Sequence, residues 1–340
     1  MASARTGSRP PLKNRLAWSF SRMRTFDSCR RRYYYQHYLK WGGWDHSAPA
    51  ESRAAYRLSR MTSADQLAGE LVHRGIEDAL RRFRSNRLTV EAEELVAWAV
   101  VQWERRLAES ASGRWEHDPK HVTCLVEDYY SLPDRERRLE RGRERVEVCL
   151  RSFCASRTWE ELRRGRTQNW MATDGDPYET VEVLGIPTYG RPDFAYDASP
   201  PAEPKSRLRL FDWKTGSPRD SDILQVRFYA LAAEGRWGFP PLAVRARLVY
   251  LFPSAVEQTV EVTPEGLEDG KRALAESWEL MKSVLADVDE NIPLGIEHFP
   301  VTDRPGLCCR CPFQEICADR PAATAVPDPL TEEDDFDPFA

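Results

Sequence analysis

The tripeptide Asp212-Trp213-Lys214 closes a run, Leu208-Arg209-Leu210-Phe211, whose alternation of apolar and polar residues predicts a strand. Residues two apart in a strand point to the same face. An acid and a lysine so placed can serve one phosphate: the carboxylate holds a divalent metal, and the ammonium sits beside the reacting group. Gly190-Arg191-Pro192-Asp193 lies on the preceding predicted strand, so Asp193 and Asp212 can converge. Phosphodiester hydrolysis needs an activated water, neutralised phosphoryl oxygens and a positioned cation. Asp193 and Asp212 suit Mg²⁺ or Mn²⁺, and Lys214 suits the water or the pentacoordinate phosphate. The Trp213 main-chain carbonyl offers a further metal ligand. A lone D-x-K arises often by chance; two acids and a lysine in this order after apolar strands do not.

Gln225 and Tyr229 are four residues apart and share a helix face just after this strand. They are placed to orient Lys214 or to touch a phosphate, although helix packing alone would also explain Tyr229. Gly69, His73 and Glu77 recur at four-residue intervals on an earlier predicted helix. The glycine one turn before His73 allows close packing and aims the imidazole at the sheet.

Of eight cysteines, Cys124, Cys149 and Cys154 lie in helical or apolar contexts and read as buried small hydrophobes. Cys308-x2-Cys311-x5-Cys317 supplies three parts of a tetrathiolate site, with Cys29 as the fourth ligand. Zinc sites generally pair cysteines two to four residues apart. The longer second spacing and the remote fourth cysteine suit an iron–sulfur cluster better. Cys309 adjoins the motif and leaves its register open.

The elements that must position these residues are legible in outline. Residues 1–16 read as a disordered basic start and 321–340 as a disordered acidic tail. A helix is expected from Ser19 or Ser21 to about Lys40, then a loop from Gly42 to Arg53, then the His73 helix over about Gln66–Arg82. A helical insertion over about 85–170 includes a charged helix from about Asp134 to Phe153. Strands are expected at Thr180–Leu184, Tyr189–Tyr196, Leu208–Lys214, Val244–Phe252 and Thr259–Val262, the first two joined by a tight Gly185-Ile186-Pro187 connection. Helices are expected over Ser221–Glu234 and from Thr263 to about Val288, and a compact cysteine loop over 304–318.

The chain has 340 residues and a net charge of −5, against indiscriminate nucleic-acid binding. The average hides an asymmetry: from Arg5 to Lys40 there are ten basic residues and one acid, and from Asp328 to Ala340 six acids and no base. Solvated surface is the plain reading of such runs. For the tail, Leu330 to Phe339, the sharper readings are a docking peptide or a segment that folds back on a basic groove. Met1 to Pro11 lacks a secretory apolar core, and no apolar run approaches membrane-spanning length, so a cytoplasmic protein without membrane contact is expected.

Taken in order, the motifs resemble the PD-(D/E)xK nuclease superfamily. Within it they are similar to the RecB-type nucleases with an iron–sulfur staple, such as the CRISPR-adaptation exonucleases and the AddB nuclease domain. The matching pieces are Ser19-x-Ser21, Phe26-x2-Cys29 with the following aromatic run, Gly69-x3-His73, Gly190-x2-Asp193, Asp212-Trp213-Lys214, Gln225-x3-Tyr229 and Cys308-x2-Cys311-Pro312-x4-Cys317. The resemblance implies an α/β restriction-endonuclease-like core over 17–320, a mixed central sheet flanked by helices. It implies His73, Asp193 and Asp212 as metal ligands, Lys214 as the catalytic cation, and a [4Fe–4S] cluster on Cys29, Cys308, Cys311 and Cys317. The expected activity is that of a metal-dependent DNase, an exonuclease on single-stranded or frayed DNA in repair, recombination or antiphage defence. The rivals are an endonuclease, a nuclease subunit partnered by a helicase or defence complex, a non-catalytic DNA-binding adaptor, and a zinc-stapled protein without nuclease function. No G-x4-G-K-[ST] stretch occurs, so the chain itself carries no helicase phosphate loop.

Overall fold

The computed structural model describes residues 13–171 and 179–321. The expected acidic tail and most of the expected basic start lie outside the described residues. Of the start, Asn14 Nδ2 donates to the His37 carbonyl at 2.8 Å, and Leu16 packs on a core.

Strand β1 (Trp18–Ser19) leads into helix α1 (Phe20–Ser28), whose first turn is capped by the Ser19 hydroxyl accepting from Arg22 N at 3.1 Å. The single helix expected here is broken at Cys29. Its backbone is extended (φ −163°, ψ 107°), and its Sγ accepts from Arg32 N at 3.4 Å, starting α2 (Arg30–Tyr34). A π-helical turn, Tyr35–Leu39, follows. The expected loop after Gly42 gives way to α3 (Ala50–Leu58).

Helix α4 (Ala64–Asn86) opens with a reciprocal cap: Ser63 Oγ accepts from Gln66 N, and Gln66 Oε1 accepts from Ser63 N. Helices α5 (Ala92–Ala111), α6 (Val126–Tyr129), α7 (Arg135–Ala155) and α8 (Arg157–Arg164) form the helical layer. Gly142 of α7 lets that helix lie against Trp103 of α5; a Cβ there would meet the indole at 2.5 Å.

The hairpin β2 (Val181–Val183) and β3 (Ile186–Tyr189) turns at Leu184-Gly185, both with positive φ, so Ile186 and Pro187 already belong to the strand. The strand expected over 189–196 is two strands in two sheets. β3 pairs with β1 and β2, whereas β4 (Phe194–Asp197) joins β5 (Leu208–Lys214). The break falls at Gly190–Asp193, where Pro192 removes a donor and Gly190 passes so close to α9 (Asp220–Trp237) that a Cβ would meet Ala232 Cβ at 2.9 Å. Strands β6 (Val244–Tyr250) and β7 (Val256–Glu261) complete the order β4-β5-β6-β7, with β5 and β6 parallel and the outer pairs antiparallel. Helix α10 (Pro264–Lys282), capped by Thr263, stops short of Val288. Residues beyond it form the small pair β8 (Leu285–Asp287) and β9 (Ile292–Pro293). The cysteine loop contains α11 (Pro305–Cys308) and a 3₁₀ turn, Gln314–Ile316.

The four-stranded sheet separates two cores. Leu208, Leu210, Ala246 and Leu248 pack against α9, α10 and the first aromatic helices. Phe211, Trp213 and Val249 pack against α4, α5, α7 and α8. The fold is therefore mixed α/β, with mixed sheets flanked by helices. Among the described residues no helix is long and apolar enough to cross a membrane.

Candidate active site

Strand alternation decides which side chains of β5 meet. Asp212 and Lys214 share the face of Leu208 and Leu210, toward α9. Phe194 is opposite Phe211, so one more step of the same register sets Asp193 beside Asp212, just before β4 begins. The two acids thus reach one strand end from adjacent strands.

Asp193 is tied on both oxygens. Its Oδ1 lies 3.1 Å from His73 Nδ1, and its Oδ2 accepts from Trp213 N at 2.7 Å. Burial pushes the Asp193 carboxyl up, but His73, the Trp213 N–H and Lys214 together outweigh burial and hold it below its usual range. His73 comes from α4, on the opposite face of the sheet from α9, so the site is assembled from both layers.

Asp212, 6% exposed, has its Oδ2 2.6 Å from Lys214 Nζ, and its Oδ1 accepts from the Tyr229 hydroxyl at 3.1 Å. Lys214 Nζ also donates to Gln225 Oε1 at 2.6 Å. Gln225 and Tyr229 thus share the work: one holds the ammonium, the other the carboxylate beside it. Trp213 meets the site through its peptide N–H, while its ring is buried against Phe153 in the helical layer.

Two residues here escaped the sequence reading. Asp222 is buried, lies 3.5 Å from Lys214 Nζ and accepts from the Tyr250 hydroxyl at 3.0 Å. The signal was present: Asp222 precedes Gln225 by three residues on one helix face, and Tyr250 is the β6 partner of Lys214.

Two carboxylates with one imidazole form a donor set suited to a hard divalent cation such as Mg²⁺ or Mn²⁺. Among the described residues, however, no three His, Cys, Asp or Glu side chains converge on a single-ion position. Each acid is instead matched by a nitrogen of the protein, His73 on Asp193 and Lys214 on Asp212.

Cys29, Cys308, Cys311 and Cys317 line one small cavity, of about 20 Å³, together with Arg31, Arg32 and Tyr35. Cys309 is not part of its wall; the Cys309 carbonyl accepts from Gln314 Nε2 at 3.0 Å. Burial, with the neighbouring thiols, pushes Cys308 up to about 11, and burial pushes Cys311 up to about 11 as well. Arg31 clasps the two ends of the fold around the cavity: its Nε donates to the Phe299 carbonyl at 2.8 Å, and its Nη1 lies 2.9 Å from Asp319 Oδ2. Cys124 and Cys149 are buried, and Cys154 is partly so, in keeping with small apolar roles.

An α/β core that brings two acids and a lysine together at the end of adjacent strands is an arrangement of the acid–acid–lysine class. The PD-(D/E)XK nuclease superfamily matches the chain over residues 17–318, and the chain belongs to that superfamily. Its members are nucleases that generally use divalent metals such as Mg²⁺. No curated protein matches the chain.

Proposed function

We propose that the protein is a Mg²⁺- or Mn²⁺-dependent DNase that degrades single-stranded or frayed DNA from an end. The observation that carries this reading is the meeting of Asp193, Asp212 and Lys214 on one face at the end of β5, braced by Gln225 and Tyr229. His73, Asp193 and Asp212 are the residues that would hold the ion. A divalent ion there would lower the pKa of a water and neutralise phosphoryl oxygens.

The protein's own groups do the rest. Lys214, steadied by Gln225, offers its ammonium to the attacking water or to the phosphate as charge builds. Tyr229 fixes the rotamer of Asp212. Asp222 places a second carboxylate 3.5 Å from Lys214 Nζ, which helps hold the ammonium in position.

We further propose that Cys29, Cys308, Cys311 and Cys317 hold a [4Fe–4S] cluster as a structural clasp, a reading supported by their sharing one cavity. The deciding experiment is an anaerobic preparation assayed on end-labelled linear and circular single strands, with Mg²⁺, with Mn²⁺ and with EDTA. Cleavage of linear strands alone, lost in EDTA, is expected. Cleavage of circles would make the enzyme an endonuclease, and undiminished cleavage after chelation would refute the metal assignment.

A further inference from the structure

A surface beside the first helices carries positive charge and exposed aromatic rings that the hydrolytic site does not use. The turn Lys40–Trp44 lies against α3 on the side of Ser52 and Tyr56, and Arg60 follows just past the end of that helix. Gly43 makes the approach close: a Cβ there would meet the Ser52 carbonyl oxygen at 2.1 Å and Tyr56 Cβ at 2.8 Å. The turn is thereby held against the helix.

Trp41 and Trp44 remain 37% and 44% exposed, their rings 5.2 Å apart and nearly perpendicular, with Trp44 6.0 Å from Tyr56. Lys40 begins the same turn. Burial, then Arg60 and Arg22, press its ammonium down to about 8. Among the described residues no carboxylate forms an ion pair with Lys40, Arg22 or Arg60. His37 adds no charge of its own: burial, then Arg22, Lys40 and Arg32, hold its imidazole well below the usual range, so it is neutral. The carboxylate of the turn, Asp45, is engaged by the N–H and hydroxyl of Ser47. Arg22 lies between this surface and the end of β3. Its Nη1 donates to the Ala17 carbonyl at 2.7 Å, and its guanidinium lies over the ring of Tyr189, four residues before Asp193.

Cations without an ion-pair partner among the described residues, next to exposed indoles, fit one chemistry: a polyanion whose flat rings are open to stacking. We propose that Trp41 and Trp44, with Lys40, Arg60 and Arg22, form a ledge that binds single-stranded nucleic acid and leads it toward the strand end of Asp193. The inference rests on the nuclease reading and deepens it. The cations take successive phosphates, and the indoles take unpaired bases, which a duplex keeps covered. An acidic protein segment would satisfy the cations but leave the indoles without planar partners.

The test measures binding in EDTA, so that it does not depend on cleavage. The probes are fluorescent oligo-dT, a blunt duplex of equal length, and a synthetic peptide of residues 322–340. Trp41→Ala/Trp44→Ala is expected to weaken oligo-dT binding on the order of tenfold or more with an unchanged salt slope. Lys40→Met/Arg60→Gln is expected to lower that slope by about 1.4. Lys40→Arg, which keeps the charge, should retain the wild-type slope, and duplex binding should change little. Thermal melts of each variant exclude misfolding as the cause, and the two pairs remove different chemistry. Wild-type oligo-dT affinity in both pairs overturns the ledge while leaving the nuclease reading intact. Loss of peptide binding alone would assign the surface to an acidic segment and overturn it too. If the protein binds oligo-dT through these residues yet cleaves nothing, the ledge stands and the nuclease reading falls.

Discussion

At the scale of single residues, the site is a chain of paired charges whose links have unequal importance. Asp212→Asn or Lys214→Met should reduce cleavage about 10³-fold or more with the fold retained, since each removes a group proposed to act on the reacting phosphate. Tyr229→Phe removes the 3.1 Å brace on Asp212 and should lower the rate about tenfold; single-turnover assays on end-labelled strands separate the two classes. Asp193 also makes a statement about pH. Its carboxyl is depressed in the folded state, so its contribution to stability is present above the unfolded carboxylate pKa and is lost as pH falls through the folded value. Asp193→Asn should therefore destabilise the protein at pH 6, and the gap from wild type should shrink below about pH 4 in denaturant titrations. These residues were legible because strand parity and helix spacing are local. Which partner each would choose was not: Tyr229 reaches Asp212 and Gln225 reaches Lys214, a choice made by how α9 lies on the sheet.

At the scale of elements, helix α4 must present His73 at a fixed height above the sheet, and its first turn is held from outside. Glu127 of α6, 1% exposed, accepts from Ala64 N with both oxygens, at 3.1 and 3.2 Å. Burial raises its carboxyl to about 7. The folded state therefore keeps a proton that the unfolded chain loses near pH 4.5, and stability falls as pH rises between those values. Glu127→Gln keeps an acceptor for Ala64 and removes the buried charge. Relative to wild type it should gain stability on going from pH 5 to pH 8, by about 2 kcal/mol, as read from thermal melts at both pH values. Sequence patterning found α4, α7, β5 and α9 because period and caps announce them. It missed the break at Cys29, where a sulfur–amide contact interrupts good helix formers, and the break at Gly190–Asp193, where apolar alternation continues across two sheets. Both failures are tertiary: the chain bends to meet the cysteine loop in one case and α9 in the other.

At the scale of the whole molecule, the cysteine cavity joins the first helices to the last described loop, a closure no local pattern announces beyond the cysteines themselves. If the clasp holds iron, Cys29→Ser and Cys311→Ser should lose iron and the brown colour to the same degree. Each should lose roughly 5 kcal/mol of stability, by analogy with a cross-link closing a loop of this size. Full iron content in Cys29→Ser would remove it from the ligand set, and a colourless wild type rich in zinc would replace the cluster. The Arg31 bonds to Phe299 and Asp319 belong to the same closure and should leave a weakened but folded protein in either variant. A different property follows from the sheet's two cores. Asp212, Lys214, Gln225 and Tyr229 belong to one, whereas His73 rides on the other, and the His73–Asp193 contact bridges them. If His73 and Asp193 hold the ion as proposed, activity is a gauge of registry between two slabs. Gentle warming or dilute urea that lets the helical slab slide by an ångström should silence the enzyme while circular dichroism still reports a native protein.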